Sequence, residues 1–164
     1  MHANLVLPSN DPPLRSPSHP TFRPGVAALL QTVQARQYCE MEQAFSSRGG
    51  LLGSDEVVAL LMMHTDQPIS QLARWIVDRE VLSLNWRSRT VLPLFQFDRS
   101  TMTPRSSVTA VIQELIPALG DWEMCLWFIA PSACLAETSP LDAISLDAPA
   151  VVDAARCERY LLRG

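Results

Sequence analysis

The chain has 164 residues, 48% of them hydrophobic and 18% charged, and a net charge of −4. That length holds one domain with a proper core or two very small ones, and the composition excludes a disordered or fibrous chain. The longest unbroken apolar run, Val57 to Met63, is too short to cross a bilayer, and no charged stretch followed by an apolar one opens the sequence, so a cytoplasmic chain with no membrane contact is expected.

Residues 1–24 hold six of the thirteen prolines. Proline fixes φ and lacks the amide donor, which predicts an extended arm and not a helix or central strand. From Gly25 the pattern turns helical. Val26, Leu29, Leu30, Val33, Met41, Ala44 and Phe45 recur at mostly three- and four-residue steps, which places them on one face. "RGG" at 48–50 supplies the residues that end this helix. Ser54 reads as the N-cap of the next, with Asp55 and Glu56 in its first turn and Val57, Val58, Leu60 and Leu61 as its buried stripe.

After "HTDQP", Pro68 suits the first position of a third helix. Ile69, Leu72, Ala73 and Ile76 form its predicted apolar stripe, opposite Ser70, Gln71, Arg74 and Asp78. Two short helices joined by a tight turn make a helix-turn-helix arrangement. In a DNA-binding version the second helix enters the major groove, which makes Ser70, Gln71 and Arg74 the candidate contacts. A plain helical hairpin of a small α domain is the alternative. Leu82, Leu84 and Trp86 then alternate with polar residues as in a strand with one buried face, and Thr90 to Phe97 is the expected return strand of a hairpin. Pro93 restricts that return strand to an edge. Arg87 and Arg89 fall at the tip, where they could touch phosphates as a wing does, or remain simply solvated.

The remainder reads as helices. Val108, Val111, Ile112, Leu115 and Ile116 form one stripe. Asp121 is the expected cap of "DWEMCLWF", in which Trp122, Cys125, Leu126 and Ile129 align. Ser139 and Pro140 start a short helix, and "PAVVDAARCERYLLRG" is the last. Residues 70–105 carry six arginines and three acids, whereas 106–155 carry seven acids and no arginine. That asymmetry predicts two surfaces that meet different partners or one another. The four cysteines lie in no CxxC or Cys–His cluster, so they are expected as buried reduced thiols and not as a zinc site.

The order "LARWI…VLSLNWRSRTVLPLFQFD…VIQEL…WEMCLWFIAPSACL…SPLDAI…VVDAAR" resembles the toxin-binding domain of Xre/MbcA/ParS-type antitoxins over roughly residues 70–160. In that family an apolar P-x-x-Q-F segment precedes a helix, followed by a helix with two tryptophans, a proline-asparagine turn with leucine, and T-P-L-D. The matching positions are Pro93, Phe95, Gln96 and Phe97, then Trp127, Pro131, Leu135, Pro140, Leu141 and Asp142. Ser132 stands where the asparagine is usual, and Glu137, after Ala136, where a glycine is usual. The helix-turn-helix is shorter than a full Xre domain.

The resemblance implies a mainly α fold. A proline-rich arm (1–24) precedes a helical region with a helix-turn-helix (25–80), and a β-hairpin with a helical toxin-binding-like bundle follows (81–164). It also implies an antitoxin that neutralises a cognate toxin, often an NAD-consuming enzyme of the RES type, and that represses its own operon as a homo-oligomer on operator DNA. Arg156, Arg159 and Tyr160 on the last helix become the candidate partner contacts, although a dipole-matched helix end explains the arginines equally well. For Gln96, lying among aromatics, the expected role is to bind backbone groups of the hairpin or the next helix. No G-x-S-x-G, Walker A or G-x-G-x-x-G is present, so neither catalysis nor a cofactor is expected. The alternatives are a solitary helix-turn-helix regulator and a protein-interaction module that binds no DNA.

Overall fold

Helix α1 (Pro24–Ser46) opens the described part of the molecule; the computed structural model describes residues 24–164, and the expected arm lies outside them apart from Pro24. The single apolar face expected for this helix is in fact two. Met41 and Phe45 are fully buried, whereas Val26, Leu29, Leu30 and Val33 are 45–64% exposed. The step from Val33 to Met41 is eight residues, two turns plus about 80°, so the two stripes point in different directions. The chain leaves α1 through Gly49 and Gly50, at φ 105° and 81°, with the Gly50 N–H donating to the Phe45 carbonyl at 2.9 Å. A Cβ on Gly49 would fall 2.7 Å from the Leu94 side chain, so this turn needs glycine for space as well as for φ.

Strand β1 (Leu51–Gly53), helices α2 (Ser54–Leu61) and α3 (Pro68–Val77), and strands β2 (Leu84–Trp86) and β3 (Arg89–Pro93) follow. Gly53, not Ser54, is the N-cap of α2, and its N–H donates to Glu56 Oε2 at 2.7 Å. In α3, Pro68 takes the expected first position, but the buried residues are Leu72 and Trp75, and Ile69 is 69% exposed. The Trp75 ring turns the helix so that Ile69 and Ala73 face outward. The sheet order is β1-β3-β2, all antiparallel. β3 is therefore the central strand and not an edge; Pro93 is tolerated because it is the last residue, opposite Leu51. Arg87 and Ser88 close the β2–β3 hairpin as a two-residue turn with φ of 46° and 64°, the primed geometry that matches strand twist.

Alternation along this segment feeds two packed clusters. Leu82, Leu84, Val91 and Phe95 join Met41, Phe45 and the C-terminal helices in one. Val81, Leu92 and Phe97 join Val57, Leu61, Leu72 and Trp75 in the other.

A short 3-10 turn (Leu94–Gln96) leads to α4 (Ser106–Leu115), α5 (Asp121–Ile129), a second 3-10 turn (Ala133–Leu135), α6 (Pro140–Ala143) and α7 (Ala148–Arg163). Ser139 caps α6 as expected, accepting the Asp142 N–H at 3.2 Å with Pro140 in the first position. Asp121, by contrast, is the first residue of α5 and does not cap it. Its carboxylate accepts Arg79 Nη2 at 2.6 Å and the Ser83 N–H at 3.0 Å. α5 buries Met124, Cys125 and Phe128, while Trp122, Leu126 and Ile129 are only half-buried, because apolar residues surround this helix on nearly all sides. Of the four thiols only Cys125 is buried; Cys39, Cys134 and Cys157 sit on outward positions, which corrects the expectation of four core thiols. Burial, and secondarily the Asp121 charge, push the Cys125 thiol well above its ordinary range, so it stays protonated and inert.

The turn after the second 3-10 segment places Ala136 and Glu137 at φ 51° and 61°. Consecutive left-handed residues carry a Cβ penalty that glycine lacks. Glu137→Gly is expected to raise stability by about 0.5–1 kcal/mol in a urea titration; the relief of strain outweighs the extra freedom of the unfolded glycine. A loss of stability would mean that the Glu137 side chain contributes more than its backbone costs.

Candidate interaction surfaces

Gln96 is 1% exposed and stands at the junction of the two packed clusters. Its Oε1 accepts the Leu82 N–H at 2.6 Å and its Nε2 donates to the Leu82 carbonyl at 2.9 Å. The amide thus completes, from a side chain, the pairing that a neighbouring strand would have given Leu82. This is the role expected for it from sequence. Phe95, the residue before it, stacks on Phe45 at 5.2 Å and meets Phe128 edge-on at 5.0 Å. The segment 93–97 therefore fixes the hairpin against both α1 and α5.

The candidate DNA contacts fall into two groups. Ser70 and Arg74 are exposed on α3 and Gln71 is half-buried. Arg74 has no carboxylate partner among the described residues. Arg87 lies over the Trp86 ring at 5.3 Å, which leaves its guanidinium donors open to solvent. Arg89 approaches Asp55 at 3.7 Å, an exposed and weak pair that leans the hairpin tip toward the first turn of α2. No hydrogen bond or ion pair among the described residues joins the α3 group to the hairpin group. Met62 and Met63, in the connection after α2, and Ile69 and Val77, on α3, are 66–83% exposed.

On α7 the two arginines are engaged within the molecule. Arg156 Nε and Arg159 Nη1 reach the two oxygens of Glu114 on α4 at 2.9 and 2.7 Å, and Arg156 also contacts Asp153 at 2.8 Å. Glu114 is mostly shielded, so these contacts brace α7 against α4. Tyr160 is different: it is 79% exposed, and Leu161 and Leu162 beside it are 73% and 52% exposed. The two leucines were not singled out in the sequence; "YLL" directly after the polar run "RCER" was the available signal.

The charge asymmetry resolves in the same way. Four of the seven acids in 106–155, namely Glu114, Asp121, Asp142 and Asp153, pair with arginines, two of them with Arg79 and Arg48 from the first half of the chain. Only Arg79–Asp121 joins the basic stretch to the acidic one; the other acids pair with arginines outside 70–105, and Asp142 and Asp153 stay mostly exposed. Arg99 and Arg105, without carboxylate partners among the described residues, line a shallow cleft with Arg48, Asp98 and Phe97. The Asp98 carboxylate is held below its usual range by hydrogen bonds from Ser100 and Thr101. Among the described residues no three histidine, cysteine, aspartate or glutamate side chains gather as metal ligands would, and no helix is long and apolar enough to cross a membrane. No family model, curated protein or solved structure matches the chain.

Proposed function

We propose that the chain is an antitoxin-like protein that holds a protein toxin through its C-terminal helices and contacts operator DNA through α2, α3 and the β2–β3 hairpin. The observation that carries the toxin half is the end of α7. There a tyrosine and two leucines stand exposed on a helix that two arginines tie to Glu114 of α4. Tyrosine is among the residue types enriched at protein-binding hot spots, and the two leucines beside it extend the exposed apolar surface. Arg156 and Arg159 act in this reading by positioning the helix, and Tyr160 makes the contact. The experiment is co-expression with the products of the adjoining genes, followed by purification. A stoichiometric complex with a product that is toxic alone is expected; recovery of the chain free of any such product overturns the reading.

The DNA half is supported by the order β1–α2–α3–β2–β3, in which a hairpin follows the second helix as a wing follows a helix-turn-helix. Arg74→Ala and Arg87→Ala are each expected to weaken binding to DNA upstream of the coding sequence by about three- to tenfold and to reduce the salt slope by about one. Specific observations favour a second reading, a module that binds protein and no DNA: the exposed Met62 and Met63 between α2 and α3, and Ile69 and Val77 on α3. Affinity that is flat with salt and unmoved by either substitution would favour it.

A further inference from the structure

Among the described residues, the contacts that hold α1 to the body of the protein are concentrated in its second half. Tyr38 stacks on Trp86 at 4.4 Å, Gln37 accepts a hydrogen bond from Trp122 Nε1 at 2.9 Å, and Met41 and Phe45 are buried. Residues 25–36 run on for about three further turns, roughly 18 Å. Along them Val26, Leu29, Leu30 and Val33 remain 50%, 64%, 57% and 45% exposed. An isolated helix of this length is marginal in water, and four aliphatic side chains on its open side add to the cost.

We infer that this stripe pairs with the same stripe of a second copy of the chain, the two helices running antiparallel about a two-fold axis. Two properties of the segment select that occupant. The first is spacing. The positions 26, 29, 30 and 33 read valine, leucine, leucine, valine, and they are symmetric about the midpoint between Leu29 and Leu30. An antiparallel two-fold sets Val26 against Val33 and Leu29 against Leu30, so like-sized side chains fill both ends of the contact, as an isologous interface requires. The second is charge. Residues 25–35 contain no charged residue, and Gln31, Thr32 and Gln34 flank the stripe. Two identical surfaces repel wherever like charges face each other, and none lies between positions 25 and 35; Arg36, the first charge beyond them, falls at the rim of the contact.

The contact is small. Four half-exposed aliphatic side chains per copy supply about half of the ~800 Å² per partner that a standard stable interface buries. A contact of that size is weak, so oligomeric state depends on protein concentration. The inference does not depend on what the chain binds elsewhere.

Sedimentation of the full-length protein over about 1–200 µM tests it. The expected result is a reversible rise from the 18.2 kDa chain mass to twice that mass. Leu29→Glu with Leu30→Glu, and separately Val26→Glu with Val33→Glu, should each raise the dissociation constant by about a hundredfold or more, since glutamate keeps the helix but cannot be buried against its like. Circular dichroism of both variants checks that the fold is retained. A mixture of Val26→Cys and Val33→Cys chains, oxidised and mapped by mass spectrometry, should give the 26–33 link. A wild-type monomer at the highest concentration overturns the inference, with residues 1–23 then the remaining candidate to cover the stripe. A dimer that neither glutamate pair disturbs overturns it too, as do 26–26 and 33–33 links in place of 26–33.

Discussion

A Gln96→Leu protein is expected to lose about 2–5 kcal/mol of stability, enough to unfold a large fraction of a marginal domain. Leucine is close to glutamine in volume and suits the aromatic surroundings, so packing alone predicts a gain. The loss comes from Leu82. Its N–H and carbonyl both bond to the Gln96 amide, at 2.6 and 2.9 Å, in a place where the glutamine is 1% exposed and water has no access. Removing the amide orphans two buried backbone groups at about 1–3 kcal/mol each. Gln96→Glu separates the two bonds. The carboxylate still accepts from the N–H but meets the Leu82 carbonyl with charge, so this variant should be least stable at neutral pH and recover as the pH falls and the acid gains a proton to donate. Urea titration followed by circular dichroism measures both. A cost below about 1 kcal/mol for Gln96→Leu would show that Leu82 finds other partners.

Leu161→Glu and Tyr160→Ala are expected to weaken binding of the proposed toxin partner by about thirtyfold or more each while leaving stability unchanged. Both side chains are more than 70% exposed, so the folded chain loses little when they are replaced. At a protein contact the same groups would lie at the centre of a desolvated patch, where truncation costs about 2 kcal/mol or more. Glu114→Ala gives the complementary result. It frees Arg156 and Arg159 and loosens α7 from α4, so both stability and partner affinity should fall if these residues position the helix. Binding that survives Glu114→Ala but fails on Arg156→Ala would instead return the arginines to the contact itself.

Several features of this arrangement were legible in the sequence, for local reasons. Ser139 followed by proline caps α6 because capping depends only on neighbours in the chain. A glutamine among aromatics had to bind backbone, and it does. Misreadings arose where a longer range decided. β1 is three residues, "LLG", too short to show alternation, and its pairing made β3 central and left Pro93 harmless at a strand end. The apolar positions of α1 look like one face if the eight-residue gap between Val33 and Met41 is passed over. Ion pairs of the acidic stretch were not legible because the partners are far off in sequence: Asp121 pairs with a residue 42 positions away and Asp142 with one 94 positions away. Spacing along a chain carries no signal of such pairs. For the same reason the arginines of α7 read as free, when Glu114 holds them.

The central claim is that the exposed end of α7 neutralises a toxic partner, and growth measures it most directly. Cells that express the toxic product of an adjoining gene should stop growing, resume growth when this chain is co-expressed, and fail to resume with Leu161→Glu at equal protein level. Rescue by Leu161→Glu as complete as by the wild-type chain, or the absence of any adjoining product whose toxicity the chain relieves, would contradict the account.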